Sequence, residues 1–114
     1  MAHLIEMARW AKDPERWHGE LEGGPYGAGL SLIFFSSDKP GGGPRLHTHP
    51  YPETFIIRRG RALFTIGDQQ VEATAGHILV APANTPHKFT NLGPGVLEQI
   101  DIHAAEAFST TWLE

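Results

Sequence analysis

The chain has 114 residues, 40% of them hydrophobic and 19% charged, a composition that fits one globular domain over residues 1–114 and neither a disordered nor a membrane-embedded chain. A formal net charge of -4 argues against a nucleic-acid surface, and the lack of cysteine removes disulfides, thiolate zinc sites and cysteine nucleophiles together. No apolar run approaches the roughly 18 residues of a spanning helix. The opening stretch MAHLIEMARWAKDPERW carries early acidic residues and no continuous apolar segment, so it does not read as a signal peptide. A cytoplasmic protein is the expectation, in keeping with the absence of cysteine.

Taken in chain order, the first predicted element is ambiguous. Leu4, Met7, Ala8 and Ala11 are spaced as on one helix face, and Pro14 ends or redirects the segment. A strand over residues 3–9 fits as well. AGLSLIFF (28–35) reads as a buried strand and SSDKPGGGP (36–44) as a loop. Six short runs follow: 53–59, 61–67, 69–75, 77–81, 87–91 and 96–103. Each is bounded by Gly, Pro, Asn or Asp. Many short strands at this spacing predict an all-β antiparallel sandwich or barrel. Gly67 in GDQQ is free to take positive φ in a hairpin turn. The basic cluster RRGR (58–61) spans a glycine and reads as a solvated turn.

HTHPYPE (47–53) concentrates the chemistry. In an extended segment residues i and i+2 share a face, so His47 and His49 point the same way. Pro50 and Pro52 force a bend, and Glu53 opens the next strand close to both histidines. His87, heading HKFTN, is the candidate fourth partner from another strand. Without thiolates, any metal site here must use imidazole and carboxylate ligands.

These residues stand in two patterns that resemble the cupin superfamily of small jelly-roll β-barrels. The first runs Gly41, five residues, His47-Thr-His49, three residues, Glu53, six residues, Gly60. The second runs Gly76, five residues, Pro82-Ala-Asn84, two residues, His87, three residues, Asn91. One position departs, with Asn84 where the family has glycine. Asn tolerates positive φ better than other non-glycine residues, so the turn should survive. The motifs cover 41–60 and 76–91, and the fifteen residues between Gly60 and Gly76 suffice for two strands and a turn. The resemblance implies an antiparallel jelly-roll β-barrel with His47, His49, Glu53 and His87 as metal ligands. Three imidazoles and one carboxylate suit one divalent Fe, Mn, Ni, Co, Cu or Zn ion per chain.

The remaining polar residues carry weaker expectations. His77 reads as an exposed turn histidine and Arg45 as a solvated loop residue, with a clamp on an anionic substrate as the alternative for Arg45. On the strand 96–103, Ile100 and Ile102 are expected to face the core. That leaves Asp101 and His103 outside; the opposite phase would put Gln99 and Asp101 in the cavity. Tyr51 forms the pocket rim or packs beside Pro50. Phe34, Phe55, Ile57, Phe64, Val80 and Phe89 are the candidate cavity wall. Trp10, Trp17 and Trp112 look like covers for barrel edges or a subunit interface. Fold does not determine chemistry. A metal-dependent dioxygenase acting on a small chelating acid, enol or phenol is slightly preferred. A non-redox isomerase, epimerase or lyase would need an inward proton-transfer residue, and none is evident. A ligand-binding module without turnover is the third reading. Apolar residues near both ends, Leu4, Ile5, Met7, Trp10, Phe108, Trp112 and Leu113, lead to the expectation of a homodimer with no nucleic-acid or membrane partner.

Overall fold

The computed structural model describes residues 2–114. A one-turn helix α1 (Met7–Trp10) leads into β1 (Gly19–Leu21) and β2 (Ser31–Ser37). The two motif regions supply β3 (His47–Thr48), β4 (Glu53–Arg59), β5 (Arg61–Ile66), β6 (Gln69–Thr74), β7 (Ile78–Ala81) and β8 (His87–Asn91). The chain finishes with β9 (Leu97–His103) and the short β10 (Thr111–Trp112). The N-terminal ambiguity resolves as helix, ended when Ala11 turns extended three residues before Pro14.

The strands form two five-stranded antiparallel sheets, ordered β1-β2-β9-β4-β7 and β10-β3-β8-β5-β6. The all-β jelly-roll expectation holds, although among the described residues no hydrogen-bonded ladder joins the two sheets into a closed barrel. Alternation along each strand aims one set of side chains between the sheets. Phe55 and Ile57 of β4, Phe64 of β5, Phe89 of β8 and Leu97 of β9 make the core there. Towards the other end of the same strands the inward set turns polar. Glu53 heads β4, His87 heads β8 and His103 ends β9.

Two turns hold this frame. Gly60 joins β4 to β5 at φ +86°, and a Cβ built there would lie 2.3 Å from the Val96 carbonyl oxygen. Only glycine offers both the conformation and the space. Asn84 takes φ +62°, so the departure from the family glycine is accommodated as expected. Its N–H donates to the His49 carbonyl at 2.8 Å, tying the second motif's turn to the first motif's histidine.

Three packing expectations are corrected. Phe34 points away from the cavity, where Trp10 stacks on it at 3.8 Å and Trp17 meets it edge-on at 5.1 Å; its neighbour Phe35 lines the cavity instead. A continuous apolar run gives no phase, so LIFF does not say which Phe faces in. Val80 is 54% exposed, on the outer face of edge strand β7. On β9 it is Leu97, Gln99, Asp101 and His103 that are buried, whereas Ile100 and Ile102 lie half-buried on the outer face.

Candidate metal centre

His47, His49, Glu53 and His87 come together with one potential ligand atom from each lying within 4.8 Å of all the others, and all four side chains are buried. Backbone geometry explains the convergence. His47 sits opposite His87 in the β3–β8 ladder, and Glu53 sits opposite His103 in the β4–β9 ladder. His49 reaches in from the bend that Pro50 and Pro52 enforce, fixed by Asn84.

Each of the three imidazoles places Nδ1 against a backbone carbonyl: His47 on Arg45 at 2.6 Å, His49 on Ser109 at 2.8 Å and His87 on Thr85 at 2.9 Å. A carbonyl only accepts, so the ring hydrogen belongs on Nδ1 and the Nε2 lone pair faces inward. The Nε2 atoms of His49 and His87 lie 3.0 Å from Glu53 Oε1. For His49 that approach is not aligned as a hydrogen bond, so its buried Nε2 lacks a partner. An unpartnered nitrogen whose lone pair meets a carboxylate at a common point fits a cation between them. The donor set therefore could hold a divalent metal ion of the kind that nitrogen and oxygen ligands favour.

The electrostatics of the protein alone agree with a site built for charge. Burial alone would raise Glu53, but the close imidazoles of His103, His49 and His87 hold its carboxyl far below the ordinary carboxylate range. Burial works against the charged form of His49, yet Glu53 and the Ser109 carbonyl more than offset it and its pKa is raised. Burial, with the neighbouring imidazoles adding to it, lowers His47 despite its bond to Arg45.

A second layer surrounds these four; its β9 residues follow the less favoured phase of the sequence reading, which names Gln99 and Asp101 for the cavity but not His103. His103 is 1% exposed, with Nε2 at 3.1 Å from Glu53 Oε2 and Nδ1 at 2.7 Å from the Tyr51 hydroxyl. The Ser109 N–H donates to that hydroxyl at 3.2 Å, leaving the phenol hydrogen for Nδ1 of His103. In this arrangement the hydrogen of the neutral ring sits on Nε2, facing the carboxylate, the reverse of the three converging histidines. Tyr51 is buried and stacks on His49 at 5.1 Å, so it is a support of the site more than a rim. Asp101 is buried beside the pocket and accepts from Gln99 Nε2 at 2.7 Å. Burial, reinforced by the charge of Glu53, pushes its carboxyl well above the ordinary range. The signal that could have found this layer is Leu97, which shares a phase with Gln99, Asp101 and His103 and is fully buried.

The pocket at this centre has a volume of about 560 Å³. Ile33, Phe35, Phe89, Phe108 and Trp112 supply its apolar wall. Phe55, Ile57 and Phe64 lie in the core beyond it. His77 is exposed as expected, its Nδ1 accepting from the Thr74 N–H at 2.9 Å. Arg45 is an exposed residue whose guanidinium reaches the Glu114 carbonyl and lies over the Trp112 ring.

Comparisons with known proteins agree with the fold. No curated protein matches the chain. Among solved structures, oxalate decarboxylase of Bacillus subtilis, described for its Mn(II) centres, superposes with a TM-score of 0.76 at 18% identity, over 83% of this chain and 27% of that one. The formate complex of the Lactobacillus farciminis oxalate decarboxylase gives 0.75 at 22% identity, over 82% and 30%. An uncharacterised Klebsiella pneumoniae protein with a double-stranded β-helix domain gives 0.76 at 18% identity, over 100% and 99%. The chain thus spans less than a third of the two decarboxylases, and the likeness is one of fold. The family model described as "Cupin domain" matches residues 34–103, more than half of the chain and all four converging residues, so the protein belongs to the cupin family.

Proposed function

We propose that the protein binds one divalent transition metal ion (Fe, Mn, Ni, Co, Cu or Zn) through His47, His49, Glu53 and His87, and that it is a non-redox enzyme, an isomerase or lyase, acting beside the carbonyl of a small chelating organic acid or enol. The observation that carries the reaction class is His103. It lines the pocket with a buried Nε2 that lacks an aligned hydrogen-bond partner, the inward proton-transfer group that the sequence did not reveal. When bound, the ion supplies a Lewis acid that polarises a carbonyl. His103 gives or takes a proton at Nε2, and Tyr51 holds its ring in place through Nδ1. Asp101, whose carboxyl burial pushes well above its ordinary range, lines the same wall. The aromatic wall makes the surroundings of the reacting atoms apolar.

The same ligands would serve the dioxygenase that the sequence alone favours, so the test separates the two. Metal-loaded protein is incubated in D₂O with a panel of small 2-oxo and 3-oxo acids, and proton NMR and an oxygen electrode follow the mixture. The expected result is deuterium incorporation or elimination next to a carbonyl without oxygen uptake, lost in His103→Gln. Oxygen consumption matched to product would return the assignment to a dioxygenase, and binding with no turnover across the panel to a ligand-holding module. The protein is further proposed to work as a homodimer.

A further inference from the structure

The pocket's charge inventory restricts what it can take. Among the described residues, its lining includes no lysine or arginine. Arg45, the nearest candidate on sequence grounds, is turned outward across Trp112 to Glu114. The carboxylates present are Glu53 within the centre, Asp101 on the wall and Glu20, an exposed residue of β1. A divalent ion with Glu53 leaves one net positive charge, enough to balance one negative charge on a substrate. A second would be desolvated against an apolar wall with nothing to pair it, which is costly.

The wall facing the centre is aromatic, and two of its rings come from the segment after β9. Phe108 packs edge-on to His103 at 4.9 Å, and Trp112 lies 5.0 Å from His47. This segment is built into the site. Trp112 pairs with His47 in the β10–β3 ladder, the Ser109 carbonyl accepts from His49, and Arg45 lies over the Trp112 ring. The segment lies outside the family match, which stops at residue 103.

Building on the proposed metal centre, we infer that the pocket selects a singly charged chelating acid with an apolar, aromatic-sized body, that Trp112 is a specificity-determining residue for that body, and that a compact dianion is disfavoured. Oxalate and benzoylformate make a matched pair of probes. They can present the same two-oxygen chelate, but one carries a second anionic oxygen where the other carries a phenyl ring.

Both are titrated calorimetrically into manganese-loaded protein at neutral pH, with metal content measured on the same samples. Benzoylformate is expected to bind at least about tenfold more tightly than oxalate, in keeping with burial of an aromatic ring. Trp112→Ala should remove most of that preference at unchanged metal content, and Trp112→Phe should restore part of it. Oxalate affinity should stay within about twofold across the series. Oxalate binding as tightly as benzoylformate, or a preference untouched in Trp112→Ala, overturns the inference and leaves the metal assignment standing. Failure of the wild type to take up manganese or any other divalent transition metal overturns both.

Discussion

At the scale of single residues, the site works by fixing protons. Three backbone carbonyls hold hydrogens on the Nδ1 atoms of His47, His49 and His87, so their Nε2 atoms are free to bind a cation. Glu53 is the only carboxylate among the four. Glu53→Gln keeps the shape and removes the charge, so metal affinity should fall by roughly ten- to a hundredfold with the fold retained, as read by competition with a chelating dye. Unchanged affinity would remove Glu53 from the ligand set. The metal-free protein should also show a stability window. The depressed pKa of Glu53 contributes stability above its ordinary value of 4.5 that is lost on acidification. The raised pKa of His49 contributes stability below its ordinary value of 6.5 that is lost as pH rises through its folded value. The melting-temperature maximum that Glu53 and His49 favour lies between these values without metal, with the lowered pKa of His47 moving it up and the raised pKa of Asp101 moving it down. It should shift to higher pH with zinc, because metal and proton compete for His49. An optimum at the same pH with and without zinc would contradict imidazole ligation.

At the scale of elements, turns place the ligands. Gly60→Ala should cost about 1–3 kcal/mol, because the new Cβ meets the Val96 carbonyl in a conformation that alanine resists. Asn84→Gly should change stability by under about 1 kcal/mol, since Asn84 already holds the left-handed conformation that glycine adopts freely. Urea titration checks both, and equal losses would undercut the conformational argument. The same contrast explains how much the sequence revealed. Strands bounded by turn residues, 53–59 and 87–91 above all, were legible to the residue, as were His47, His49, Glu53 and His87 as a convergent group. The face of β9 was not, because Ile100 and Ile102 offered an apolar phase as persuasive as that of Leu97 alone. Polar side chains drawn inward by a functional site invert the usual rule that apolar means inside. Contacts of the 104–114 segment with the histidines span some sixty residues of sequence, as for Ser109 and His49, and no local pattern encodes them.

At the scale of the molecule, one outer sheet face is unusually apolar. Leu32, Ile102, Thr54 and Val80 lie in one cross-strand row, and Phe34, Ile100, Ile56 and Ile78 in the next. Trp10 and Trp17 cover Phe34, but Ile78 is 65% exposed and Val80 54%. The proposed homodimer would bury this face, so Ile78→Asp with Val80→Asp should halve the mass seen by sedimentation at micromolar concentration while metal binding persists. A wild-type protein sedimenting at 12.5 kDa would refute the dimer. The central claim is that the two motifs fold to make one metal centre. Elemental analysis of protein purified without chelator, beside His47→Ala, His49→Ala and His87→Ala, tests it most directly. About one divalent transition metal ion per wild-type chain is expected, with a large loss in each variant; undiminished metal in all three would rule the centre out.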